Sequence, residues 1–346
     1  MNLNPRPIEF LTAQGSDATG GDLRIALRSA VEGLLQEAQR RGLRPENAVS
    51  LLITASNSRG LEELPTLLGE ISRELRPAVT LAGVESLSGR ATIGLSAVFS
   101  RLLVKRFEDS TGLLAVESGD LVFLSASLAG PGSDIECGVA DALGDVAGKL
   151  ESIGLGLPQL VSVNAFLADI GDFDRFNRAY RKFFQSDAPV RTTVAAKSLP
   201  NNPPLSLSAI AWRGKVPGGP GVYRFNWSNA RPSENPNPTT SSAIRAGPIF
   251  FMSGRAGFNS EGAEAQAEET MSAFAEILRF SGLELSDVLE CKVFLTVPAD
   301  EECVRGVVNA NFGGSVPALE VLRVPALVQE RKVEITLTAS AGNRPL

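Results

Sequence analysis

The sequence predicts an α+β fold made of three tandem copies of one unit, each with the order β-β-α-β-α-β-β. Three observations predict it: self-similarity at fixed offsets, apolar stripes at helical spacing, and period-two strands that close the copies. Pro77 and Pro189 lie 112 positions apart, and that offset carries Gly42-Leu43 onto Gly154-Leu155 without a gap. It also carries Ile93-Gly94-Leu95-Ser96-Ala97 onto Leu205-Ser206-Leu207-Ser208-Ala209. A second offset of 128 carries Pro189 onto Pro317, Gly154-Leu155 onto Gly282-Leu283, Phe166-Leu167 onto Phe294-Leu295 and Ser125 onto Ser253. The copies occupy about 1–105, 106–214 and 240–346, with a linker at 215–239.

Each copy opens on an apolar strand: Ile8-Glu9-Phe10-Leu11, Leu121-Val122-Phe123-Leu124 and Ile249-Phe250-Phe251-Met252. A helix follows. Leu23, Leu27, Ala30 and Leu34 in copy one, and Ala267, Met271, Phe274 and Leu278 in copy three, step by three and four and so share one face. Gly42, Gly154 and Gly282 stop these helices, since glycine best tolerates the left-handed residue after a helix end. Val161–Leu167 reads as the next strand in copy two, and a second helix runs from about Phe173 to Phe184. Val333, Ile335 and Leu337 alternate with Glu334, Thr336 and Thr338, the pattern of a half-buried closing strand. The linker carries Gly218, Gly219, Pro220 and Gly221, then Pro232, Pro236 and Pro238. Its alternating Tyr223, Phe225 and Trp227 either cap a ligand pocket or pin the linker to the body.

Composition narrows the chemistry. The 346 residues suffice for two or three domains, and 43% hydrophobic with 21% charged residues is ordinary for a folded soluble chain. A formal charge of −6 predicts neither nucleic acid nor a membrane surface as partner. Histidine is absent, which excludes Ser-His-Asp and Cys-His triads, histidine-ligated metals and histidine bases. Cys137, Cys291 and Cys303 are too few and too dispersed for a disulfide framework or a metal cluster, so neither metal nor cofactor is expected. The N-terminus lacks a basic segment followed by an apolar run, and no apolar stretch approaches the roughly 20 residues needed to span a bilayer. The chain reads as cytoplasmic.

The middle copy resembles the RidA family (YjgF/YER057c/UK114). The resemblance rests on Phe166-Leu167-Ala168-Asp169, on Asp172-Phe173 through Asn177 and Tyr180 to Phe183-Phe184, on Pro189-Val190-Arg191-Thr192-Thr193-Val194, and on Ser198-Leu199-Pro200. Copy three joins it through Met252-Ser253-Gly254, Gln266-Ala267 and Gly282-Leu283, and copy one through its offset to copy two. Members of the family have a chorismate-mutase-like fold and are usually homotrimers, with sheets around a central barrel, helices outside and a ligand cleft at each interface. The resemblance therefore implies a pseudo-trimer within one chain, monomeric in solution.

It also implies a site. Members that hydrolyse 2-imino acids hold the substrate carboxylate with an arginine in the Pro-x-Arg segment, which here is Arg191, whereas the other copies carry Val79 and Leu319. Thr193 and Asn177 fall at neighbouring family positions; Tyr180 reads as core packing. The family's Ser-Gly pair, presenting backbone N–H to the ligand, is Ser253-Gly254. Arg255 follows and either faces Arg191 in a doubly cationic cleft or pairs with Glu261 or Glu264. The family's water-positioning glutamate is expected at Ser96, Ser208 and Thr336, so every copy would have lost it, and Glu334 is read as pointing to the opposite face. No catalytic residue is assigned. The expected function is action on a small carboxylate by an imine or enamine deaminase-like reaction. The alternatives are a chorismatase-like enzyme acting on a dicarboxylate and a non-catalytic small-molecule-binding or scaffold protein.

Overall fold

The computed structural model describes residues 7–16, 22–57, 60–184, 188–214, 223–225, 227–228, 231–232, 239–314 and 316–340. Copy one runs β1 (Ile8–Gly15), α1 (Leu23–Arg40), β2 (Ala48–Ala55), α2 (Leu64–Ile71), β3 (Ala78–Gly83) and β4 (Ile93–Ser100). Copy two comprises β5 (Val104–Asp109), β6 (Gly112–Ser118), β7 (Leu121–Leu128), α3 (Ile135–Ser152), β8 (Leu160–Leu167), α4 (Phe173–Tyr180), β9 (Val190–Ala195) and β10 (Leu205–Trp212). After β11 (Tyr223–Phe225) and a two-residue ladder of β12 (Trp227–Ser228) with β13 (Arg231–Pro232), copy three follows. It contains β14 (Ala243–Ala246), β15 (Ile249–Met252), α5 (Ala263–Phe280), β16 (Val288–Leu295), α6 (Glu301–Asn311), β17 (Ala318–Arg323) and β18 (Val333–Ser340).

The fold is thus α+β with three sheets, ordered β1-β4-β2-β3, β5-β6-β7-β10-β8-β9 and β11-β14-β15-β18-β16-β17. The β-β-α opening needs adjustment. Among the described residues copy one has a single strand before its helix, while copies two and three each add an outer strand, β5 and β11. Strand β5 begins at Val104, ahead of the expected 105/106 boundary, because it pairs with β6 from Val104↔Ser118 onward.

Local chemistry explains the shared plan. Asp22 and Asp134 accept N–H bonds from the first turns of α1 and α3. Gly42, Gly154 and Gly282 have φ of 70°, 76° and 71°, and the next residue in each copy donates back to a helix carbonyl (Leu43 to Ala38, Leu155 to Leu150, Leu283 to Leu278). Each helix pair packs on the outer face of its own sheet around a separate core. The opposite faces of all three sheets meet in two further cores. One includes Phe10 and Val98 of copy one, Phe123 and Val190 of copy two, and Phe251 and Leu289 of copy three. The other includes Ala82 of copy one, Phe166 and Val194 of copy two, and Phe294 and Leu322 of copy three. Phe225 is partly buried against the core of copy three, its ring 5.5 Å from that of Phe250, so this linker aromatic pins the chain. The side chains of Tyr223 and Trp227 lie outside the described residues.

Candidate functional site

Strand β9 lies at the edge of the second sheet, parallel to β8, with Arg191 opposite Val163 and Thr193 opposite Ala165. The element closing the seam beside it comes from copy three. Arg191 N–H donates to Ser253 Oγ (2.9 Å), Gly254 N–H donates to Arg191 O (3.1 Å), and Ser241 N–H donates to Pro189 O (3.2 Å). Arg191, Thr193, Asn177 and Gly254 then line one cavity of about 280 Å³, together with Glu334 and Arg331.

The Arg191 side chain is 7% exposed and turned onto α4. Nη2 donates to Asn177 Oδ1 (2.8 Å), and Cζ lies 4.9 Å from the ring centres of Phe176 and Tyr180 and 5.7 Å from that of Phe173. Nη1 is buried without a hydrogen-bond partner. Burial pushes the guanidinium down to about 10, which still leaves it cationic at neutral pH. A fixed planar fork with one arm clamped and the other unsatisfied suits a carboxylate, because burying an unpaired N–H is unfavourable until an acceptor arrives. Tyr180 is fully buried, as its reading as core packing requires, and its ring also supports the arginine.

Glu334 corrects the expectation that no copy retains a carboxylate. Residues two apart on a strand share a face, so Glu334 and Thr336 lie on the same side of β18. Val333, Ile335 and Leu337 are the residues that face the helices. Thr336 sits farther in, where it donates to Met252 O and lines a separate central cavity with Ser96 and Ser208, whereas Glu334 reaches the Arg191 cavity. It is 8% exposed and accepts from Thr193 N–H; burial pushes its carboxyl up to about 7 despite that bond and the nearby Arg191 charge. At the offsets of the repeat its counterparts are Gly94 and Ser206, so only the seam between copies two and three joins an arginine to a glutamate at these positions.

Ser253 and Gly254 also depart from expectation. Their N–H groups do not face the cavity but donate to Ser242 O (3.0 Å) and Arg191 O (3.1 Å), because Ser253 extends the β14–β15 pairing within copy three and Gly254 then bonds across the seam to β9. Ser253 Oγ donates to Ser241 O (2.6 Å) and lies 2.6 Å from Thr240 Oγ1, tying the seam from behind. Gly254 matters for what it lacks: a Cβ there would collide with Glu334 Oε1.

Arg255 is not among the residues lining the cavity. It forms an antiparallel bridge with Ile335, N–H to O at 2.9 Å in both directions, and bridged residues share a face. Ile335 belongs to the helix-facing core, so Arg255 points to that side, half-buried, where Glu269 and Glu276 are the acids that support its charge. They are neither Glu261 nor Glu264. The second cation in the cavity is Arg331, which the repeat could not flag because its counterparts are Ala91 and Pro203.

No helix among the described residues is long and apolar enough to cross a membrane. The chain is similar to protein HMF1 of Saccharomyces cerevisiae, 33% identical over 103 residues that cover 28% of this chain and 80% of that protein. It is also similar to the 2-iminobutanoate/2-iminopropanoate deaminase of Capra hircus, 29% identical over 131 residues, 37% of this chain and 89% of the relative. Among solved structures, a chorismatase superposes with a TM-score of 0.65 at 16% identity, covering 96% of this chain and 98% of the other, which establishes likeness of fold. The model of the endoribonuclease L-PSP family matches twice, at residues 112–212 and 233–341, in agreement with tandem copies. On these matches, and on the RidA-like residues gathered around Arg191, the chain belongs to the endoribonuclease L-PSP family, the RidA group of YjgF-like proteins.

Proposed function

We propose that the seam between copies two and three binds a small 2-imino or enamine acid and hydrolyses it to the 2-oxo acid and ammonia. The observation that carries this reading is the convergence of the Arg191 guanidinium, with Nη1 unsatisfied, and the Glu334 carboxyl on one cavity. Arg191 holds the substrate carboxylate. Ionised Glu334 takes a proton from water as the water oxygen bonds to the imine carbon. The carboxyl returns that proton to nitrogen, giving the carbinolamine. Glu334 then relays the hydroxyl proton to nitrogen in the same way as the C–N bond breaks, so that ammonia leaves and a C=O group remains. A group that titrates near the working pH can serve in both directions, and burial brings Glu334 to about 7.

The activity named for the Capra hircus relative supports this reading. A chorismatase-like reaction has the fold in its favour but no residue, since that likeness is at 16% identity. The seams bearing Val79 and Leu319 lack a carboxylate clamp and fit a scaffold role.

The test is ammonia release from freshly generated 2-iminobutanoate. The wild-type protein should accelerate it. Arg191→Ala should raise KM by about tenfold or more, and Glu334→Gln should lower kcat by about 100-fold, the usual range for a general acid–base group. Absence of acceleration by the wild type, or full turnover by Glu334→Gln, refutes the proposal.

A further inference from the structure

Arg331 stands between two spaces. It lines the 280 Å³ cavity that holds Arg191 and Glu334, and also an adjoining groove of about 560 Å³. Phe173 and Val328 are shared in the same way, so the two spaces meet at these three side chains. The Arg331 guanidinium is stacked on Phe258, with Cζ 4.9 Å from the ring centre, and Nη1 donates to Gly257 O at 3.3 Å. Nε is buried and unpartnered. Its partners among the described residues are thus a carbonyl and a ring rather than an acid, and its orientation is set by stacking before any ligand arrives.

The backbone leading to it passes through two left-handed residues. Gln329 and Glu330 both have positive φ, 54° and 56°, as do Asn201 and Asn202 at the same place in copy two. The repeat therefore keeps the turn, while only copy three ends it in an arginine, against Pro203 and Ala91. Beyond Arg331 the groove changes sign: Asp174 and Glu330 line it, both exposed.

We infer that Arg331 is a second acid-binding group of this cleft and that the ligand is a compact diacid, one carboxylate on Arg191 and the other on Arg331. This rests on the carboxylate role of Arg191 proposed above and adds the substrate class. A longer diacid would push its far carboxylate past Arg331 toward Asp174 and Glu330, where like charges oppose it. The site therefore selects on length as well as on charge.

The test uses stable 2-oxo acids as stand-ins, the keto oxygen replacing the imine nitrogen, with affinities read by titration calorimetry at low salt. The monoacid 2-oxobutanoate, the compact diacid 2-oxoglutarate and the longer 2-oxopimelate are compared. On the wild-type protein 2-oxoglutarate should bind about tenfold or more tightly than 2-oxobutanoate, the factor expected from one added charge-assisted contact. It should also bind more tightly than 2-oxopimelate. Arg331→Gln should abolish the diacid preference, and Arg191→Gln should weaken both shorter acids. Equal affinity of the mono- and diacid for the wild type overturns the inference without any variant, as does a preference that survives Arg331→Gln. Failure of every acid to bind overturns the Arg191 reading itself, so the two failures are distinguishable.

Discussion

Gly254→Ala isolates the position of Glu334 from the chemistry of its carboxyl. A Cβ built on Gly254 falls inside contact distance of Glu334 Oε1, 3.0 Å from its Cδ and 3.1 Å from Thr192 Cγ2. The backbone at 254 is not left-handed, so alanine adds a methyl group without backbone strain. The Thr192 methyl must give by a few tenths of an ångström, but the far larger overlap is with the carboxyl, the free end of a side chain, so the carboxyl is what yields most. It must withdraw by roughly 1 Å, and a misplacement of that size in a reacting group lowers turnover by about 100-fold. The overpacking should destabilise the fold by only about 1 kcal/mol, the low end for an added methyl that neighbours can accommodate. Ammonia release from 2-iminobutanoate is the assay, with thermal unfolding followed by circular dichroism as the control for folding. The expected pattern is a large loss in kcat, a small change in KM because the Arg191–Asn177 clamp is untouched, and a nearly unchanged Tm. A kcat within about threefold of wild type, which is under 1 kcal/mol of barrier, would refute the placement of Glu334 as the acting carboxyl.

Further expectations concern pH, stability and mass. Since the ionised form of Glu334 accepts the proton, kcat/KM should climb as pH rises through about 7, and Glu334→Gln should flatten that limb; a wild-type profile level from pH 6 to 8 contradicts the assignment. Glu320, buried near Lys292 and the Glu290–Lys292 ion pair, is likewise pushed up to about 7 by desolvation. Its folded pKa exceeds the unfolded one, so the folded state binds more protons between about 4.5 and 7, and stability falls as pH rises through that window. Denaturant unfolding at pH 5 and pH 8 should therefore show a decline that is smaller in Glu320→Gln, by about 3 kcal/mol at most; equal declines in the two proteins would exclude Glu320 as a source. Because the inner faces of three sheets already share a core within one chain, light scattering should return the 36.5 kDa of a monomer, and three times that mass would defeat the pseudo-trimer proposal.

Local pattern carried most of the fold. The offsets found in the residues reappear in the backbone: positive φ at Gly42, Gly154 and Gly282, and again at Gly89, Asn201 and Gln329, each separated by 112 and then 128. Helix stripes, left-handed stop residues and closing strands are all short-range physics, and so they were legible. Arg191 was legible for a different reason, as the arginine of a family motif.

The composition of the cleft was not. Arg191 and Glu334 belong to different copies, and nothing in a linear repeat states which copy's last strand meets which copy's β9; the hydrogen bonds from Gly254 and Ser241 across the seam decide it. The face of Glu334 could have been read from period-two alternation, since it lies two residues from Thr336. Arg255 and Arg331 could not have been ranked in that way. The first is turned toward the helices by its bridge to Ile335, and the second is brought to the cavity by a turn remote from Arg191 in sequence. Secondary structure and repetition follow from neighbours a few residues apart, whereas a site formed where two sheets meet depends on packing, which the order of residues along one copy does not contain.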